Sequence, residues 1–182
     1  MWVVRKRGAL AALVAACWLL PAVAWADFEG RVVRVADGDT VTVLRPDGDS
    51  FKQVRVRLSS IDAPERRQAF GTRSREHLAQ MVFERHVRVE EHGSDRYGRV
   101  IGVLHVGGVN ANQAMVSAGY AWAYRQYLND SAMVRLETQA RRAGRGLWSE
   151  ADAVAPWDFR RSEAARRKAE REAREAAAAA SH

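Results

Sequence analysis

The sequence predicts a small, partly open β-barrel with helices packed on it. Three observations carry that expectation: five short segments rich in β-branched residues, turn residues that punctuate them, and a switch to helical periodicity between the third and fourth strands and again after the fifth. An antiparallel sheet with helices on one face is the alternative the same pattern allows.

The first two strands are Phe28 to Ala36 and Thr40 to Leu44, separated by Asp37-Gly38-Asp39, a tight-turn signal. Pro46 to Asp49 reads as a second turn and leads into Phe51 to Ser59. In that third strand Val54, Val56 and Leu58 alternate with Arg55 and Arg57, so one face enters a core and the other carries charge. A loop with Pro64 runs from Ile61 to Gln68. From Gly71 to Phe83 the apolar residues Leu78, Met81 and Val82 recur at helical spacing. Strands over His86 to Glu90 and Val100 to Val106 follow, joined by the polar segment HGSDRYGR. A short helix over Ala111 to Ser117 ends at Gly119, and a last one presents Met133, Leu136, Ala140 and Ala143 before Gly144 and Gly146.

The two ends differ from this middle. Residues 1–26 place Arg5, Lys6 and Arg7 before an apolar run from Ala9 to Leu20, with small residues at Ala24 and Ala26. This is the pattern of an export signal cleaved before Asp27, which implies a periplasmic or extracellular protein with no stable membrane anchor after processing. Residues 151–182 form an Arg/Glu/Ala-rich tail, expected as a solvated helix or disordered segment, because from Asp158 onward it has no apolar stripe to dock. The folded domain is expected over 27–150.

Cys17 is the only cysteine, and it lies in the leader. The remainder therefore has no disulfide, thiolate nucleophile or cysteine-ligated zinc. The formal charge of +7 includes three leader cations, and the stretch from Asp158 holds seven basic and five acidic residues, so 27–157 is only about +2. That balance permits a polyanionic substrate without announcing one. The histidines show neither HExxH nor close ligand spacing, and no nucleophile-elbow motif supports Ser-His-Asp chemistry.

Four groups of residues could carry chemistry. Asp37-Gly38-Asp39 can present carboxylate oxygens to a hard cation such as calcium, or can be only a hairpin turn. The loop Ser60 to Glu65 adds Asp62, which could complete a metal site with Asp39, and Glu65, held by the stiff Ala63-Pro64 step, which could handle a water; an ordinary acidic loop is the plainer reading. Arg57 offers a guanidinium suited to phosphate oxygens, or simply solvates the sheet. Asp95-Arg96-Tyr97-Gly98-Arg99 could bind a phosphate or stack a base, and Tyr120, Trp122, Tyr124 and Tyr127 could form a base platform or enter the core, with Trp122 the residue expected there. Together these are the parts that phosphodiester hydrolysis needs: metal carboxylates, a carboxylate for water, and cations for charge on the phosphorus oxygens.

The segments VVRVADGDTVTV, VRLSSIDAPE, DRYGR, VNANQAMVSAGYAWAY and RGLW, in this order, resemble the successive signatures of the staphylococcal nuclease family over about Phe28 to Ser149. The resemblance implies an OB-fold barrel of five strands with three helices, and calcium-dependent hydrolysis of single-stranded or frayed DNA and of RNA that leaves 3′-phosphates. It implies a monomer with no obligate protein partner. By the same resemblance, Asp39 and Asp62 are calcium carboxylates, with the Ala63 backbone carbonyl a further ligand and Asp37 an outer-shell contributor. Glu65 is the general base or water-orienting residue, and Arg57 and Arg99 are the phosphate-binding arginines. Arg96, Tyr97 and Tyr124 lie near the nucleotide. Ala63 departs from the family's usual threonine, the aromatic segment from Gly119 to Tyr127 is spaced differently, and the turn at Pro46 to Ser50 is short of lysines.

Overall fold

The computed structural model describes residues 27–128 and 130–180; the leader pattern of residues 1–26 lies outside the described residues. Five strands carry the barrel: β1 (Phe28–Val35), β2 (Thr40–Asp47), β3 (Ser50–Leu58), β5 (His86–Ser94) and β6 (Val100–Val106). Three two-residue strands, β4 (Ile61–Asp62), β7 (Val109–Asn110) and β8 (Trp122–Ala123), complete the set. The sheet order is β3-β2-β1-β5-β6-β7, with antiparallel neighbours. A parallel pairing of β3 with β6, Val56 to Val100 through Leu58 to Gly102, closes it into a barrel. The mainly β barrel with packed helices is the expected OB-fold architecture.

The seam is fastened by one buried side chain. Asn112 Nδ2 donates to the carbonyls of Ser59 (2.9 Å) and Gly102 (3.2 Å), while its Oδ1 accepts from Leu104 N (3.1 Å). Residue 102 must be glycine, because a Cβ there would lie 2.4 Å from the Glu90 carbonyl oxygen on β5. Inside, Val32, Val41, Val43, Val56, Leu58, Val89 and Leu104 are fully buried. They come from alternate positions of the strands, as a pleated sheet with one inward face requires.

The helices α1 (Gly71–Val82), α2 (Ala111–Ser117) and α3 (Ala132–Arg142) cover the barrel, and α4 (Pro156–Ala180) follows. The strands extend further than local turn signals suggest. β2 and β3 pair as far as Asp47 and Ser50, leaving only Gly48-Asp49 as the turn, and β5 absorbs His92-Gly93-Ser94 through a bulge between Glu91 and Gly93. The inward face of α3 is Met133, Glu137 and Ala140; Ala143 is exposed. A carboxylate thus occupies a position in the apolar periodicity.

Trp122 is buried, but in a second, smaller cluster with Leu147 and Ala155, against which Phe70, Trp148 and Trp157 pack. This cluster seats the chain after α3 and the start of α4. Arg141 lies 3.8 Å over the Trp148 ring and 4.6 Å over that of Trp122. Among the described residues no helix is long and apolar enough to cross a membrane.

Candidate active site

Three short pieces of backbone bring the carboxylates together. Asp39 ends the β1–β2 turn, where its N–H donates to Asp37 Oδ1 (3.1 Å). Gly38 between them has an ordinary φ; it is glycine because a Cβ would come within 1.9 Å of Ser74 Oγ and 2.8 Å of Ala63 Cβ. Close approach to α1 and the Asp62 loop, rather than turn geometry, fixes that residue. Asp62 sits in β4, paired with Trp122 of β8, and Tyr124 N donates to Ser60 O (2.9 Å).

Asp39 and Asp62 meet at Arg57. The Arg57 Nη2 lies 3.3 Å from Asp39 Oδ2 and 3.1 Å from Asp62 Oδ1. Its position on β3 follows from the alternation: Val56 and Leu58 are buried in the barrel, so Arg57 points to the opposite side. Asp39 also accepts from Thr40 Oγ1 (2.8 Å) and from Ala63 N (3.3 Å). Burial pushes the Asp39 carboxyl from 3.8 up to about 6, against the lowering effect of Arg57 and with the Asp37 charge adding to the rise. Asp62 is raised too, burial again being the largest cause.

Glu65 stands on the loop that follows. Gln68 grips its backbone from both sides: Glu65 N donates to Gln68 Oε1 (3.1 Å), and Gln68 N donates to Glu65 O (2.8 Å). Gly71 packs beneath it, where a Cβ would lie 2.0 Å from the Glu65 carbonyl oxygen. Its carboxylate is joined to Asp62 by an unforeseen residue. Arg160 of α4 donates from Nη1 to Glu65 Oε1 (2.8 Å) and to Asp62 Oδ1 (3.1 Å), and from Nη2 to Asp62 Oδ2 (2.7 Å). Hydrogen bonding to Asp62 holds this guanidinium above its ordinary pKa.

The remaining candidates stand further out. The β3–β6 register pairs Arg57 with Ile101, so Arg99 lies two residues earlier and on the same side by alternation. Its guanidinium is turned to Asp95, with Nη2 2.6 Å and Nε 2.7 Å from Oδ2. Burial raises the Asp95 carboxyl, but hydrogen bonds from Arg99 and Tyr97 outweigh it and leave it below its ordinary value. Tyr97 is exposed, with Arg96 4.9 Å and Arg99 5.7 Å from its ring centre, and Arg96 Nη2 donates to its hydroxyl (2.8 Å). Tyr124 is half-buried, and its ring stacks on Trp157 at 5.7 Å and 10°. The structure therefore gathers Asp39, Asp62, Arg57 and, through Arg160, Glu65; Arg99, Arg96 and Tyr97 form a separate group across the β3–β6 seam.

The family model described as staphylococcal nuclease homologue matches residues 55–150. The chain belongs to the staphylococcal nuclease family. It is 48% identical over 174 residues to Protein ParB of Escherichia coli, covering 90% of this chain and 93% of that one. To the micrococcal nuclease of Shigella flexneri it is 47% identical over 166 residues, 85% of this chain and 93% of that one. An uncharacterized endonuclease of Escherichia coli is 48% identical over 136 residues, 74% and 86% of the two chains. Membership of the staphylococcal nuclease family supports a hydrolytic nuclease activity with nucleic acid as substrate.

Among the described residues, no group of three or more His, Cys, Asp or Glu side chains is arranged to hold a metal ion. The donor set still suits a hard cation. Asp39 and Asp62 are both buried oxygen donors, and guanidinium groups lie against both.

Proposed function

We propose that this chain is an exported, calcium-dependent phosphodiesterase that hydrolyses single-stranded or frayed DNA and RNA and leaves 3′-phosphate ends. The observation that carries the reading is the convergence of Asp39 and Asp62 on Arg57, with Glu65 reaching the same place through its shared contact with Arg160. Buried carboxylates that share too few cations are poised to take another.

In this reading Asp39, Asp62 and the Ala63 carbonyl would hold the calcium, with Asp37 contributing from nearby. The bound cation would polarise a phosphoryl oxygen and ease ionisation of the attacking water. Glu65 orients that water in line with the bond to be broken and accepts its proton. The water oxygen bonds to phosphorus, the bond to the 5′ oxygen breaks, and the departing 5′ oxygen takes up a proton from solvent. Arg57 and Arg99 meet the charge that builds on the equatorial oxygens; Arg99 must turn from Asp95 to do so. Tyr97 and Tyr124 offer ring faces to bases and Arg96 a contact to phosphate.

The leader-like pattern of residues 1–26 supports export. Hydrolysis of single-stranded DNA with calcium, then with excess chelator, tests the reading when product ends are analysed. Calcium-dependent release of 3′-phosphorylated products is expected. A folded protein that binds DNA and leaves it intact would instead point to a noncatalytic barrel.

A further inference from the structure

We infer that the start of α4 is a self-inhibitory strap, in which Arg160 and Trp157 occupy the places of the cation and the nucleotide until calcium displaces them. This rests on the proposed calcium site and deepens it.

Two contacts made by one helical turn carry the inference. Arg160 spans Asp62 and Glu65 with three hydrogen bonds of 2.7–3.1 Å. It thereby takes both Asp62 oxygens and one oxygen of Glu65. Three residues earlier, on the same side of the helix, Trp157 lies parallel over Tyr124 and edge-on to Trp122 at 5.5 Å. A base could not stack on the face of Tyr124 that the indole covers. The remainder of α4 is largely exposed, so docking is concentrated where it covers the candidate groups.

The strap is held firmly enough to be occupied and weakly enough to be released. Ala155 and Pro156 are buried, and Gln68 Nε2, from the side chain that also grips Glu65, donates to Val154 O (2.6 Å). Yet Arg160 itself is 40% exposed, so water competes for its ion pairs. Arg57 leaves lone pairs free on Asp39 and Asp62, but Arg160 adds a second guanidinium that takes both Asp62 oxygens and one of Glu65 and sets a positive charge against the incoming cation, so Arg160 and calcium each lower the apparent affinity of the other. The open groove of about 880 Å³ beside the strap is a less distinctive feature: of the cations that line it, Arg167, Lys168 and Arg171 on α4 each lie beside a glutamate one turn away.

Calcium titration by calorimetry tests this on the full chain. Arg160→Ala should bind calcium about tenfold more tightly than the unaltered protein, since the fraction of molecules with free carboxylates rises. Trp157→Ala, which touches no carboxylate, should shift affinity in the same direction by a smaller factor. Hydrogen exchange of the backbone over 156–164 should speed up when calcium is added to the unaltered protein. Equal calcium affinity in all three proteins, or exchange that calcium leaves unchanged, would overturn the strap while calcium-dependent cleavage kept the nuclease reading intact. Failure of every form to bind calcium or cut DNA would overturn the nuclease reading, and the strap with it.

Discussion

The molecule buries carboxylates in two places, and the two are built on opposite charge balances. On α3, Glu137 is almost fully buried between Arg125 (2.8 Å) and Arg141 (3.5 Å), and its Oε1 also accepts from Ala123 N (3.3 Å). One negative group meets two positive ones and a backbone donor. At the β1–β2 turn and the Asp62 loop, three carboxylates, Asp39, Asp62 and Glu65, share two guanidinium groups, Arg57 and Arg160, and Asp37 accepts from the Asp39 backbone N–H beside them. The first arrangement is complete and fastens α3 to β8. The second keeps negative charge in excess, and burial raises the Asp39 and Asp62 carboxyls there. The Glu137 carboxylate has more cationic partners than it needs, whereas the Asp39–Asp62–Glu65 group has fewer, which is the balance the proposed cation would complete.

That contrast breaks first at Glu65. Glu65→Gln keeps the shape and removes the proposed base, so turnover should fall by about 10²–10⁴ while the melting temperature is preserved. Arg99→Ala should likewise lose most turnover, by about 10²-fold or more, if its guanidinium meets the developing charge. Steady-state kinetics with thermal melts on the same preparations checks both. Full activity in either variant would remove that residue from the mechanism, and a large drop in melting temperature in Glu65→Gln would place the loop with the structural cluster instead.

The reverse outcome is expected at Glu137. Glu137→Ala strands the buried Ala123 N–H and opens a cavity between Met133 and Ala140, a loss of about 2–4 kcal/mol by denaturant unfolding. Its two arginines are about half exposed and can rehydrate, which keeps the loss below that of two stranded buried cations. Per folded molecule, cleavage at low temperature should be little changed. A variant as stable as the parent would show that the Glu137 cluster is not structural.

These two clusters also mark what local sequence can reveal. The five principal strands were legible because alternation such as Val54, Val56 and Leu58 is a property of neighbouring residues, and so was the outward turn of Arg57. Asp39, Asp62 and Glu65 stand in short motifs whose composition suggests a cation. Glu137 was not legible, because a charge on a helix reads as solvent-facing until a partner from outside that helix is known. Arg160 was hidden for the same reason over a longer reach: it lies 98 residues from Asp62, in a stretch whose charges otherwise pair along the helix. Trp157 precedes that stretch and finds its partners in Trp122 and Tyr124 only once β8 is formed. Nor could spacing show that Arg99 rests on Asp95.

The finest test concerns Asp39 itself. Its folded pKa lies above its ordinary value, 3.8 rising to about 6, so the metal-free fold prefers the neutral carboxyl. The stabilising contribution of that preference is fully present below pH 3.8 and is lost as pH rises through about 6. Above that range the ionised group costs the metal-free fold roughly 3 kcal/mol. Asp39→Asn removes the charge while keeping the shape. In chelator, its stability relative to the parent should therefore grow between pH 4 and pH 8 by about that amount, measured by denaturant unfolding at each pH. Its calcium binding should be lost, because the amide that relieves the buried charge is a poor ligand. If instead the stability difference is the same at both pH values, Arg57 already compensates Asp39 as fully as the two arginines compensate Glu137, and the excess of negative charge would have to reside on Asp62 and Glu65 alone.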